Sequence, residues 1–73
     1  MKTVKEILIE QGAHFDEFPR DDNFVYKIKS HYTECYNKVP VRSYWRYTGQ
    51  VIIADKLGKI VGFETCETTE IDE

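Results

Sequence analysis

The chain has 73 residues, 41% apolar, 32% charged and 14% aromatic, with a formal net charge of −3. A chain this short buries only about 60% of its unfolded surface, which excludes large catalytic folds, two-domain dinucleotide binders and repeat arrays. What remains is a small globular binding module, expected as one α+β domain over residues 1–66 followed by an acidic, flexible tail over 67–73.

Thr3-Val4-Lys5-Glu6 has the pattern of a capping box, in which Thr and Glu side chains satisfy the first free amides of a helix. Val4, Ile7 and Leu8 fall on one face, and Gly12 follows as a stop, so the sequence predicts a helix over about residues 4–11. Ile9 lies on the opposite side of that helix and is a candidate contact residue. The apolar run Ile7-Leu8-Ile9 is too short for a signal-peptide core, and no stretch approaches the about 20 apolar residues of a membrane span. A cytoplasmic protein is expected, with Cys35 and Cys66 as reduced thiols.

Residues 12–23 show neither helical nor alternating periodicity. Pro19 and the Asp21-Asp22-Asn23 cluster suit a connecting loop, with Phe15 and Phe18 folded back on the core. Over 24–39 two periods compete. At helical spacing Phe24, Val25, Ile28, Tyr32, Cys35, Tyr36 and Val39 share one face, leaving only Tyr26 outside it. At period two Phe24, Tyr26, Ile28, Tyr32 and Tyr36 align, and the Tyr and Val content favours strand. A strand over the whole segment exceeds the usual five or six residues, and Pro40 supplies a stop. The expectation is a second helix, with a strand over 24–30 as the alternative.

The C-terminal half predicts a three-stranded antiparallel β-meander. Residues 41–48 alternate, with Val41, Trp45 and Tyr47 on the side assigned to the core and Arg42, Tyr44 and Arg46 on the other. Gly49-Gln50 fits a two-residue hairpin turn, Val51 to Ala54 a short apolar strand, and Asp55-Lys56-Leu57-Gly58 a turn with Gly at its left-handed position. Residues 59–65 return as the third strand.

Charge is segregated along the chain. Residues 1–22 hold three bases against six acids, 23–63 seven bases against two acids, and 64–73 five acids and no base. A basic, aromatic centre between acidic ends can steer an anionic partner. Arg-Tyr-Arg on an open sheet face can stack on bases or grip carboxylates and phosphates, and Arg and Tyr are favoured anchors in protein interfaces. The acidic tail reads as solubilising, although it could also cover the protein's own basic face.

His14, His31, Cys35 and Cys66 are the only parts of a catalytic or metal-binding kit beyond the carboxylates. On a helix His31 and Cys35 would sit on adjacent turns. No paired Cys or His motif, nucleophile elbow, phosphate-binding Gly loop or His-Glu-x-x-His occurs. No enzyme activity, cofactor or metal is expected. The predicted partner-binding residues are Arg42, Tyr44, Arg46 and Ile9.

In size, aromatic richness, charge segregation and lack of a catalytic kit, the chain resembles small phage-encoded regulators of host machinery. Among these it is most similar to RNA-polymerase-binding transcription inhibitors and antiterminators. The resemblance is one of profile and carries no residue-by-residue correspondence. It implies a protein, monomeric or weakly homodimeric, that docks on a host protein such as bacterial RNA polymerase and modulates transcription by inhibition or antitermination. A single-stranded nucleic-acid module using the basic aromatic sheet is the alternative, with direct nucleic-acid contact secondary.

Overall fold

The Thr3 hydroxyl accepts the Glu6 amide at 3.2 Å and caps helix α1, Val4–Glu10, as the Thr half of the capping box predicts. The computed structural model describes residues 2–71. After α1 come strands β1 (His14–Arg20), β2 (Asn23–Tyr36), β3 (Val39–Ala54), β4 (Ile60–Thr65) and β5 (Glu70–Ile71). All pairings are antiparallel in the order β1-β2-β3-β4, and β5 lies beside the other half of β3. No helix among the described residues is long and apolar enough to cross a membrane.

The predicted second helix and the three-stranded meander are both overturned. Among the described residues the fold is mainly β, with a single seven-residue helix on a five-stranded sheet. The segment read as a helix over 24–39 is β2, its turn and the first residue of β3. Its apolar face at helical spacing is not a buried face: Tyr32, Tyr36 and Val39 are 41%, 72% and 59% exposed. Period two governs instead, because β2 finds in β3 a partner long enough to pair with it almost end to end. Tyr36 pairs with Val39 across Asn37 and Lys38, whose φ values of 48° and 66° give a two-residue turn matching the twist of the strands.

Residues 14–20, expected as a loop, form the edge strand β1, where Pro19 is tolerated because an outer strand need not donate on its free side. Gly49-Gln50 is no hairpin turn. Residues 41–48 and 51–54 belong to one strand, β3, interrupted by a bulge in which Thr48, Gly49 and Gln50 stand opposite the single residue Ile28. The Thr48 hydroxyl donates to the Ile28 carbonyl at 3.2 Å, and Gly49 takes φ +100°, a conformation most side chains avoid.

The turn after β3 follows its sequence. Asp55 Oδ1 accepts the amides of Leu57 and Lys59, each at 2.9 Å. Gly58 adopts φ +85°, and a Cβ there would stand 2.5 Å from the Thr3 side chain. That close approach lets the Gly58 carbonyl accept the Val4 amide at 2.9 Å, docking the start of α1 on the turn.

Under α1 lies the core: Val4, Leu8, Tyr26 and Ala54 are buried, with Ala13, Phe15, Ile28 and Ile52 packed against them. Val25 and Val51 are buried on the opposite face, near which Arg20 reaches Glu64 at 2.8 Å. Beyond this body β2 and β3 continue as a two-stranded arm, giving the molecule extents of 47 × 23 × 19 Å. Of the segment read as a tail from residue 67, Glu70 and Ile71 pair with Arg46 and Trp45, while Asp72 and Glu73 lie outside the described residues.

Candidate interaction surface

The two strands of the arm register Ser30 with Arg46, Tyr32 with Tyr44 and Glu34 with Arg42. Alternation along β3 therefore sets Arg42, Tyr44 and Arg46 on one face, together with Tyr32 from β2. The Tyr32 and Tyr44 rings stack with centroids 5.9 Å apart, and the Arg42 guanidinium lies 4.5 Å over the Tyr44 ring. A flat cation on an aromatic platform presents both apolar area and hydrogen-bond donors.

Both arginines already have anionic or polar partners from this chain. Arg42 pairs with Glu34 at 3.5 Å and with Glu70. Arg46 donates to the Thr68 carbonyl at 2.8 Å and to its hydroxyl at 3.3 Å. Residues 66–71 thus lie along the basic strand, and Glu70 supplies a carboxylate where an anionic ligand would sit. Ile9 is 60% exposed, but it stands on α1 in the body and takes no part in the arm.

From His31 to Ser43 every residue is exposed. Tyr36, Val39 and Val41 show more than half of their surface to solvent, at 72%, 59% and 61%. Tyr32 and Tyr36, which continue this surface, were placed by the helical reading in a buried face. Their period-two alternation with Tyr26 and Ile28 was the signal for it.

The other sheet face carries a second cluster. Trp45 and Tyr47, expected in the core, are half-buried on the side away from α1. His14 and His31 approach Trp45 edge-on, with centroids at 4.9 and 5.1 Å, and Lys29 stands 5.5 Å from the Trp45 ring centre. Lys27 lies between the Phe18 and Tyr47 rings, at 5.5 and 5.4 Å.

Asp16 anchors this cluster, accepting from Lys29 Nζ at 2.7 Å and from the Tyr47 hydroxyl at 2.6 Å. Burial alone would raise the Asp16 carboxyl, but those two hydrogen bonds and the charges of Lys29 and Lys27 outweigh it and hold its pKa below 3.8. The hydrogen bond to Asp16, with burial and the Asp16 and Cys66 charges added, pushes the Tyr47 phenol up to about 12. On the helix side burial, helped by Glu17, pushes Tyr26 to about 12.

His31 and Cys35 do not form a metal edge. Four residues apart on a strand they are separated by about 13 Å, and among the described residues no group of three or more metal-ligating side chains gathers. Both cysteines are free thiols, Cys35 exposed and Cys66 half-buried. No protein-family model, curated protein or solved structure matches the chain.

Proposed function

We propose that this chain is a non-enzymatic regulatory module that binds a protein partner through the β2–β3 arm. The observation that carries this reading is the unbroken exposure of residues 31–43 on an arm with no core beneath it. Isolated two-stranded ribbons are marginal in water, and aromatic side chains displayed on one gain most by entering a partner's groove. Tyr32, Tyr44 and Arg42 form the anchor, and Tyr36, Val39 and Val41 supply apolar area at the tip.

The profile resemblance makes bacterial RNA polymerase the partner of choice, with modulation of transcription in the cytoplasm as the outcome. Affinity capture from a bacterial lysate tests it, comparing the natural chain with a Tyr32→Ser/Tyr36→Ser/Val41→Ser variant. Polymerase subunits retained by the natural chain and lost by the variant support the reading. Equal retention by both removes the arm from it, and absence of polymerase from both removes the partner.

A second reading rests on the opposite face. Lys27 and Lys29 over Phe18, Tyr47 and Trp45 offer stacking surfaces and positive charge to single-stranded nucleic acid. It requires binding that weakens steeply as salt rises. Salt-insensitive or absent binding in a mobility assay rejects it.

A further inference from the structure

Residues 66–71 form a strap along β3 that is held mainly by polar contacts at the surface. The Cys66 amide donates to the Gly49 carbonyl at 2.9 Å, and the Tyr47 amide donates to the Thr69 carbonyl at 3.1 Å. Arg46 takes the Thr68 carbonyl and hydroxyl, Arg42 takes the Glu70 carboxylate, and Ile71 pairs with Trp45. Gly49 permits the close approach: a Cβ there would stand 3.3 Å from the Thr68 methyl and 3.5 Å from the Cys66 carbonyl oxygen. Residues 67 to 70 are nonetheless all exposed. Exposed ion pairs contribute little, and a segment with few buried apolar contacts opens well before the body unfolds. The strap is seated specifically and held weakly.

What the strap occupies defines the chemistry of the site. The edge of β3 presents it with both a donor, the Tyr47 amide, and an acceptor, the Gly49 carbonyl. Arg46 and Arg42 stand beside them, one on a main-chain carbonyl and one on a carboxylate. A peptide strand answers donor and acceptor alike, as in strand addition to a sheet edge. The phosphodiester backbone of DNA offers acceptors only. The two arginines then select among peptides for those that carry an acidic side chain.

We propose that residues 66–71 are an internal stand-in for the partner, and that the arm recognises an extended acidic segment of a protein. The segment adds antiparallel to the edge of β3 once the strap lifts. Its carboxylate replaces Glu70 on Arg42, and its carbonyls replace those of Thr68 and Thr69. This rests on the arm being the binding element, as proposed above, and adds what the arm binds and how it is kept closed. A tethered strap competes at an effective concentration of about a millimolar, so an acidic peptide without further contacts on the arm is turned away.

Two readouts on the full chain test it: hydrogen exchange at the Tyr47 amide, and NMR titration with a capped peptide of residues 64–71 in which Cys66 is replaced by Ser. Glu70→Lys sets like charges together at Arg42, and is expected to quicken Tyr47 exchange by about fivefold. The peptide is expected to bind this variant more tightly by the same factor, because both readouts report the fraction of chains with the strap open. Glu67→Lys makes the same change in net charge at a residue that enters no ion pair among the described residues. It is expected to leave both readouts within about twofold. Adding Arg42→Glu to Glu70→Lys is expected to reseat the strap and restore slow exchange, with thermal unfolding unchanged in all three. Exchange that ignores Glu70→Lys, that responds equally to Glu67→Lys, or that quickens only as the body loses thermal stability overturns the proposal. So does a peptide that binds the natural chain and Glu70→Lys equally or binds neither, and so does an oligothymidylate that displaces the strap where the peptide does not. Neither readout involves polymerase, so failure of that partner and failure of the strap are told apart.

Discussion

The body and the arm use the same two strands to opposite ends. In the body β2 and β3 are covered by α1, flanked by β1 and β4, and contribute Tyr26, Ile52 and Ala54 to the core. Past Ser30 and Arg46 the same strands lose helix, β1 and β4, and among the described residues only the two of β5 flank them. A residue such as Tyr is core in one half, at Tyr26, and display in the other, at Tyr36. Strand propensity supplies the ribbon in both places, but stability comes from what lies on it.

The contrast can be broken most forcefully in the body. Leu8→Ala removes one of four residues clustered under α1 and is expected to cost about 3 kcal/mol in chemical denaturation, a large part of a small domain's stability. Gly58→Ala forces a Cβ against Thr3 at a positive φ and is expected to cost about 2 kcal/mol. Its thermal unfolding should shift in the same direction as that of Leu8→Ala, because both release the helix.

At the junction of the two regions, Tyr47→Phe is expected to cost about 1.5 kcal/mol at neutral pH by removing the donor to Asp16. Its pH profile sharpens the assignment. The folded Tyr47 pKa, about 12, lies above its ordinary 10.0, so its stabilisation is present below pH 10 and lost as pH rises toward 12. Tyr26 shares that window, so the variant should lose only part of the alkaline slope. Asp16 is shifted the other way, below 3.8. Its contribution is present above that value and lost as pH falls through the lower folded one, and Tyr47→Phe should shrink this acid loss as well. Smallest of all, Tyr36→Ser and Val41→Ser on the arm are expected to change stability by less than about 0.5 kcal/mol while weakening partner capture.

Local chemistry was legible in the sequence and shared chemistry was not. The Thr3 cap, the Asp55–Gly58 turn and the return of the chain at residues 59–65 each depend on neighbours within a few positions, and each is present. β1 was hidden because Phe15 and Phe18 lie three apart. One packs under α1 and the other turns to the opposite face beside Lys27, which leaves no alternation to read. β2 was hidden because its apolar residues satisfy helical spacing by coincidence, and only pairing along the whole of β3, out to Ala54 opposite Phe24, makes a fourteen-residue strand tenable. On the arm, the common face of Arg42, Tyr44 and Arg46 follows from alternation alone. That Glu34, Glu70 and Thr68 would hold both arginines depended on where residues 66–71 return, which no local pattern states.

The bond from the Val4 amide to the Gly58 carbonyl has a kinetic meaning besides its structural one. It joins residue 4 to residue 58 across β1, β2 and β3, so a long loop must close to form it, and loop-closure entropy makes such contacts late. The arm, by contrast, closes from a two-residue turn at Asn37 and Lys38 and zips outward through neighbouring pairs. Leu8→Ala should therefore speed unfolding while leaving the folding rate almost unchanged. Order of formation and order of strength are expected to run in opposite directions along this chain: the ribbon that adds least to stability first, and the docking of the helix that holds the body together last.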